Sequence, residues 1–96
     1  MKSDEDIIVT LASLKKDLQT KYPIASLALF GSYSRKEETP ESDVDLLVEF
    51  NSKIGSGFIT LASEIEVALG KKVDLVSRKG IKKKYFNQIK SELIYV

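Results

Sequence analysis

The sequence contains no cysteine, no histidine and no tryptophan, and only two of its 96 residues are proline. Without cysteine and histidine, the chain cannot form disulfides, structural zinc sites of the usual kind, cysteine or histidine nucleophiles, or imidazole acid–base pairs. Any metal must therefore sit on oxygen ligands, which favours a hard ion such as Mg²⁺. Carboxylates are the groups left to carry chemistry.

Long apolar runs are also missing. No stretch approaches the ~20 residues that a membrane span requires, and Met1 to Asp6 lack the basic-then-apolar order of a signal peptide. We therefore expect a cytoplasmic protein that has no contact with a membrane. The length suits one domain over residues 1–96, and a content of 43% apolar and 30% charged residues is typical of globular chains.

The net charge of +1 hides an asymmetry along the chain. Residues 1–70 hold seven basic and twelve acidic side chains, whereas residues 71–96 hold eight basic and two acidic ones. The simplest interpretation of the basic segment is a solvated helix face, and the alternatives are a surface for an acidic protein partner or attraction of ATP. Nucleic-acid binding is disfavoured, because Tyr85 and Phe86 fit a core stripe and leave no exposed aromatic residues among the lysines.

Apolar spacing predicts alternating helices and strands. The first helix begins at the N-cap Ser3 and ends before Pro23, and Gly70 follows the second helix as its C′ residue. The predicted strands are Ile24–Phe30, Asp43–Phe50 and Lys72–Val76. The core-facing helix residues are Ile7, Ile8, Leu11, Leu14 and Leu18, then Ile59, Ala62, Ile65 and Leu69, then Ile81, Tyr85, Phe86, Ile89 and Leu93. This order predicts the α/β (α+β) class, with helices packed on a small sheet.

The segment GSYSRKEETPESDVD, from Gly31 to Asp45, has the composition of a nucleotide site. Gly31 follows a buried strand and allows a sharp turn, and Ser32 offers a hydroxyl and an N–H, a combination that can cradle phosphate. Asp43 and Asp45 lie two apart on a strand, so both carboxylates project from one face, where a divalent cation would relieve their repulsion. If the third strand lies beside the second, Asp74 reaches the same face. Three carboxylates without histidine are a ligand set for one or two Mg²⁺ ions that also hold phosphates.

The spacing between Gly31-Ser32 and the two aspartates is a more specific signal of a nucleotide site than the pair of aspartates alone. Asp4 and Asp6 form the same pair but are more simply first-turn helix acids. The second Gly-Ser, at Gly55, has valine and leucine at the positions where the two acids would stand. Only the Gly31 pattern therefore satisfies the whole arrangement.

The run ALFGSYSRKEETPESDVDLLVEF strongly resembles the minimal nucleotidyltransferase (MNT) proteins of the DNA polymerase beta-like superfamily. Their signature is G-S-x10-D-x-D followed by a third acid on a later strand, which Gly31, Ser32, Asp43, Asp45 and Asp74 match. The likeness extends through the last segment, which ends in Leu-Ile-Tyr-Val. It implies the nucleotidyltransferase fold, a small mixed sheet with helices packed on it.

The resemblance also implies a reaction. Asp43, Asp45 and Asp74 would hold Mg²⁺ on the triphosphate of ATP, and Gly31 and Ser32 would hold the β and γ phosphates. Attack on the α phosphorus would transfer AMP and release pyrophosphate. Arg35 would add a cation near the phosphates, by its position in the turn.

In many stand-alone members the acceptor is a tyrosine of a HEPN-family ribonuclease toxin, whose antitoxin is the small protein. Two alternatives remain open. One is an antitoxin with an idle site that neutralises its toxin by stoichiometric binding. The other is transfer to a small molecule such as an aminoglycoside, although 96 residues leave little room for an acceptor pocket.

One position departs from the family. Relatives commonly read A-R-G-E where this chain has Ser34, Arg35, Lys36 and Glu37. If that glycine adopts a positive φ, Lys36 is strained by roughly 1–2 kcal/mol, or the loop follows another path. Because the acids and the Gly-Ser remain, we expect impaired geometry at most.

Overall fold

The computed structural model describes the backbone of residues 4–96 and the side chains of residues 7–96. The helices are α1 (Asp4–Leu18), α2 (Gly57–Leu69) and α3 (Lys83–Ile89). The strands are β1 (Ile24–Phe30), β2 (Val44–Phe50), β3 (Val73–Ser77) and β4 (Ile94–Tyr95). Short 3-10 turns follow β1 at Gly31–Tyr33 and α3 at Lys90–Glu92. The predicted cap Ser3 lies outside the described residues.

The strands form one mixed sheet in the order β3-β2-β1-β4. The strands β2 and β3 are parallel, and β1 is antiparallel to both β2 and β4. The helix α2 connects β2 to β3, as a parallel pair requires. The predicted class and the mixed sheet are therefore confirmed, and β3 lies beside β2, which was the condition for bringing Asp74 to the acidic face.

The two faces of the sheet are covered unequally. One face packs against α1 and α2 and forms the main core, to which β2 contributes Val44, Leu46 and Val48. The other face carries a smaller cluster, in which Ala28, Phe30 and Leu47 pack against Ile89 of α3. Strict alternation along β2 places Asp45 on this second face, beside Leu47. Because α3 covers only part of it, the acidic residues stay accessible.

The helices α1 and α2 end where the sequence predicts, but the core-facing side of α2 differs from the prediction. The helix α1 ends at Leu18, before Pro23, and Gly70 has a φ of +66° in the left-handed region, as a C′ glycine should. The prediction that Ile59 faces the core is wrong, because its side chain is 75% exposed. Phe58 packs against the core instead, one position earlier and about 100° around the helix.

The C-terminal segment also differs from the prediction. The helix α3 ends at Ile89, so Leu93 is not helical, and the chain turns to form β4. Strand β4 pairs with Ala28 and Leu29 of β1, and Ile94 packs on the main core. Two residues of strand are too few for a periodic signal, whereas the edge of β1 offers unpaired backbone groups that attract them. None of the helices in residues 4–96 has the length and apolar character needed to cross a bilayer.

Candidate active site

The structure brings the three predicted acids to one corner of the sheet. Asp45 of β2 and Asp74 of β3 are direct partners in the parallel register, so their side chains leave the same face. Neighbouring strands lie about 4.8 Å apart, which places these two carboxylates side by side. Asp43 immediately precedes β2 and is exposed, and it lies near enough to Asp45 for its negative charge to act on that carboxyl.

Asp45 is the most perturbed carboxyl of this group. Its pKa is raised to about 6, first by burial and then by the negative charges of Asp74 and Asp43. The guanidinium of Arg35 acts in the opposite direction on this pKa but does not offset the other two effects. Asp45 is therefore a carboxylate that a cation would stabilise.

Gly31 allows the backbone to pass directly against Asp45. It follows β1, has a φ of +78°, and begins the 3-10 turn that contains Ser32. A Cβ at this position would lie 2.0 Å from Oδ2 of Asp45, far inside contact distance. The side chain of Ser32 is half-buried and makes no hydrogen bond to any described residue. The turn therefore presents a free hydroxyl beside a carboxylate.

Glu92 belongs to this corner, although no motif in the sequence includes it. Its Oε2 accepts a hydrogen bond of 2.7 Å from the Gly31 N–H and one of 3.0 Å from Nη1 of Arg35. Arg35 also donates from Nε to Oε1 of Glu37 at 3.0 Å. Glu92 is one of only two acidic residues in residues 71–96, and that isolation was the available signal.

These residues line a cleft of about 410 Å³ between the Gly31 turn and α3. Its walls are Phe30, Gly31, Ser32, Arg35, Asp45, Tyr85, Gln88, Ile89 and Glu92. The assignment of Tyr85 to the core is wrong, because its side chain is 41% exposed and faces this cleft. The cause is the shortness of α3, which leaves only Ile89 of that helix fully buried. Phe86 is half-buried and packs on the smaller cluster, as expected.

A larger cleft of about 690 Å³ lies at the opposite end of β2 and β3, lined in part by Glu49, Lys53 and Arg78. It contains none of the predicted site residues. The guanidinium of Arg78 lies 3.8 Å from the ring centre of Phe86, and the lysines at 79 and 82–84 are exposed without an ion pair to any residue that the structure describes. These lysines are therefore accessible on the surface of the described chain.

Residues 11–96 match the family described as "Nucleotidyltransferase domain". This chain belongs to that family.

Curated relatives extend the match to the whole chain. "Putative protein adenylyltransferase MJ1379" of Methanocaldococcus jannaschii is 44% identical over 100 aligned residues, which cover 100% of both chains. "Protein adenylyltransferase MntA" of Thermococcus cleftensis is 37% identical over 94 residues, which cover 96% of this chain and 94% of that protein. The chain is therefore a minimal nucleotidyltransferase, an enzyme of the transferase class.

A solved structure supports the fold. It is described as a tri-AMPylated Shewanella oneidensis HEPN toxin in complex with MNT antitoxin, and the match has a TM-score of 0.69 at 24% identity. The superposition covers 91% of this chain and 68% of the other one. At this level of identity the likeness establishes the nucleotidyltransferase fold.

The donor set of this nucleotidyltransferase fits a hard divalent ion. All three acids carry carboxylate oxygens, and the raised pKa of Asp45 reflects its burial and the neighbouring negative charges, which Arg35 offsets only in part. Across the described part of the chain, no three acidic side chains are drawn together closely enough to hold a metal in this arrangement. Asp43 and Asp74 are exposed, so packing does not hold either side chain away from Asp45.

The pKa of Asp45 predicts a specific dependence of stability on pH. Because folding raises this pKa from 3.8 to about 6, the folded state binds the proton more tightly than the unfolded state between these values. Asp45→Asn removes the penalty of a buried charge. Without divalent metal, this variant should have a higher free energy of unfolding than the wild type above pH 6, and the gain should disappear near pH 4.

Urea denaturation in EDTA at pH 7.5 and pH 4 measures this difference. Glu49→Gln is the matched control, since Glu49 lies on the same strand and face but is exposed. Equal stabilisation of the Asn variant at both pH values would contradict a raised pKa at Asp45.

Lys36 has a φ of +58°, the only positive value among the non-glycine residues that the structure describes. Of the two alternatives for this family position, a strained lysine or another loop path, the structure therefore shows the positive φ. Lys36→Gly should remove left-handed strain of roughly 1–2 kcal/mol but add flexibility to the unfolded chain, which leaves a net gain of about 0.5–1 kcal/mol in the free energy of unfolding. Chemical denaturation measures the gain.

The control for this variant is Lys53→Gly, at an exposed loop lysine whose φ is not positive. It should lose stability by about 0.5–1 kcal/mol, because only the unfolded-state cost remains. Similar effects of the two substitutions would show that Lys36 is not strained.

Proposed function

We propose that this chain is a Mg²⁺-dependent protein adenylyltransferase that transfers AMP from ATP to a tyrosine hydroxyl of a partner HEPN toxin, and so acts as its antitoxin. The observation that carries the proposal is the pairing of Asp45 with Asp74 in register, directly beside the Gly31 turn. Two curated relatives are named as protein adenylyltransferases, and a protein of the same fold stands in complex with an AMPylated HEPN toxin.

Each part of the cleft has a task in this reaction. Asp43, Asp45 and Asp74 would hold Mg²⁺, which when bound neutralises triphosphate charge and activates the attacking hydroxyl. The Ser32 hydroxyl and the backbone of the Gly31 turn bind phosphate oxygens. Arg35, held by Glu37 and Glu92, supplies a fixed cation at the mouth of the cleft.

The bond changes balance without any further reactant. The tyrosine oxygen forms a bond to the α phosphorus of ATP, the bond from that phosphorus to the bridging oxygen breaks, and pyrophosphate leaves. The proton of the tyrosine hydroxyl passes to solvent water. Because the reaction consumes ATP, we propose that the protein acts in the cytoplasm. We also propose that residues 1–96 form one catalytic domain.

Mass spectrometry tests the transfer directly. The chain is incubated with its partner toxin, ATP and Mg²⁺, and the toxin is then analysed intact and after digestion. We expect AMP on a tyrosine of the toxin, and no product when EDTA replaces Mg²⁺. An unmodified toxin, despite formation of the complex, would contradict the proposal.

A second candidate is an antitoxin that acts by binding alone. Two observations favour it: the strained Lys36 beside the site, and the Glu92 carboxylate on the Gly31 N–H, where a phosphate oxygen would be expected. The discriminating variant is Asp43→Asn/Asp45→Asn, expressed at the same level as the wild type. Loss of protection against the toxin supports catalysis, and full protection supports binding alone.

A further inference from the structure

The residues of α3 that line the cleft are not among those proposed to bind metal or phosphate. Tyr85 and Gln88 lie three positions apart on α3, which puts them on one side of the helix, and both line the cleft opposite Ser32 and Asp45. Both side chains are exposed, and neither makes a hydrogen bond to any residue that the structure describes. This wall therefore presents an aromatic ring and an amide to the space next to the phosphate cradle.

The ring of Tyr85 has a fixed support. It stands nearly perpendicular to the ring of Phe30, with an interplanar angle of 79° and a centroid distance of 6.3 Å. Phe30 is 2% exposed and belongs to the smaller core cluster, so it does not move freely. An aromatic ring that is supported on one side and open on the other is a stacking surface for a planar ligand.

The amide of Gln88 adds selectivity to this surface. A glutamine side chain offers a hydrogen-bond donor and an acceptor together. The edge of adenine presents a complementary donor and acceptor, and paired hydrogen bonds from glutamine to adenine are a common means of recognising that base. The cleft volume of about 410 Å³ is within the range of small-molecule sites.

We propose that Tyr85 and Gln88 form the nucleobase subsite of this cleft: the ring of Tyr85 stacks on the base and the amide of Gln88 selects adenine. The proposal rests on the proposed function, since it needs the phosphates at Gly31 and Ser32. It gives this short chain its own means of choosing ATP among the nucleotides.

Binding of two probes separates the base from the phosphates. ATP carries both, and inorganic tripolyphosphate carries only the phosphates. Calorimetry in Mg²⁺ measures both probes with the full chain. Tyr85→Ala should weaken ATP binding by about tenfold or more, from the usual contribution of one base–aromatic stack, and leave tripolyphosphate binding unchanged. Tyr85→Phe keeps the ring and should bind ATP like the wild type.

Gln88→Ala should reduce the preference for ATP over CTP by about tenfold without changing tripolyphosphate binding. Two matched controls should leave every affinity unchanged. Tyr95→Ala removes another exposed tyrosine, on β4, and Asn87→Ala removes another exposed amide of α3, outside this cleft.

Several outcomes would overturn the subsite. If Tyr85→Ala weakens both probes equally, the ring only supports the fold of the cleft. If Tyr85→Phe binds ATP as weakly as Tyr85→Ala, the hydroxyl and not the ring is the contact. If AMP is found covalently attached to Tyr85, this residue is an acceptor and not a base-binding residue. If the wild type binds tripolyphosphate but Tyr85→Ala binds ATP as tightly as the wild type does, the subsite is refuted and the proposed function is not. A wild type that binds neither probe refutes the proposed function, and the subsite with it.

Discussion

The double variant Asp43→Asn/Asp45→Asn is expected to lose AMP transfer by about 10³-fold or more. Two carboxylates are removed from a site with no histidine or cysteine to replace them as metal ligands. A metal ion at the triphosphate contributes several kcal/mol to the transition state, and each 1.36 kcal/mol corresponds to a factor of ten in rate. The rate of AMP incorporation into the partner toxin under single-turnover conditions measures the loss.

This variant should fold, since Asp43 is exposed and the loss of the Asp45 charge relieves burial and repulsion. Glu49→Gln is again the matched control, because it removes a carboxylate from the same face of β2 at the far end of the strand. It should retain the wild-type rate within about twofold, as expected for a surface change. A double Asn variant that transfers AMP normally would refute the assignment of the site.

Gly31→Ala is expected to lower AMP transfer by about 100-fold or more and to destabilise the fold by about 1–3 kcal/mol. The added Cβ would lie 2.0 Å from Oδ2 of Asp45, so the carboxylate must move out of the corner. Alanine at a φ of +78° also adds backbone strain. Rate measurements and urea denaturation record the two effects separately.

Two other glycines separate the effect of the Cβ contact with Asp45 from the effect of backbone strain. Gly55 and Gly70 also have positive φ values, but nothing lies within 4 Å of a Cβ built on either of them. Alanine at these positions should lower stability by about 1–2 kcal/mol and leave the transfer rate close to that of the wild type. If Gly31→Ala behaves like these controls, Asp45 does not depend on the close approach of Gly31.

The central part of the site could be predicted because local patterns determine it. Alternation along β2 places Asp45 on the face away from the main core, and the connection through α2 makes β3 its parallel neighbour. Asp74 then follows from the register. The family pattern marks Lys36 as a departure but leaves two paths open, and the positive φ of the structure decides between them. The roles of these residues in catalysis stay predictions.

The errors share a physical cause, which is packing between distant segments. Ile59 has the apolar character of a core residue, yet α2 packs with Phe58 against the core and leaves Ile59 exposed. Tyr85 fits an apolar stripe, but α3 is too short to bury it. Glu92 reaches Gly31 across 61 positions of sequence, a contact that no local spacing can indicate.

Paramagnetic NMR with Mn²⁺ in place of Mg²⁺ tests the central claim most directly, because Mn²⁺ accepts the same oxygen ligands and broadens the signals of nearby nuclei. The protein is titrated with Mn²⁺ in the presence of ATP. We predict that the amide signals of Gly31, Ser32, Asp45 and Asp74 broaden first, and that Asp43→Asn/Asp45→Asn abolishes the effect. Broadening centred on the larger cleft near Lys53 and Arg78, or on the lysines at 82–84, would contradict a metal–nucleotide site at the acidic corner.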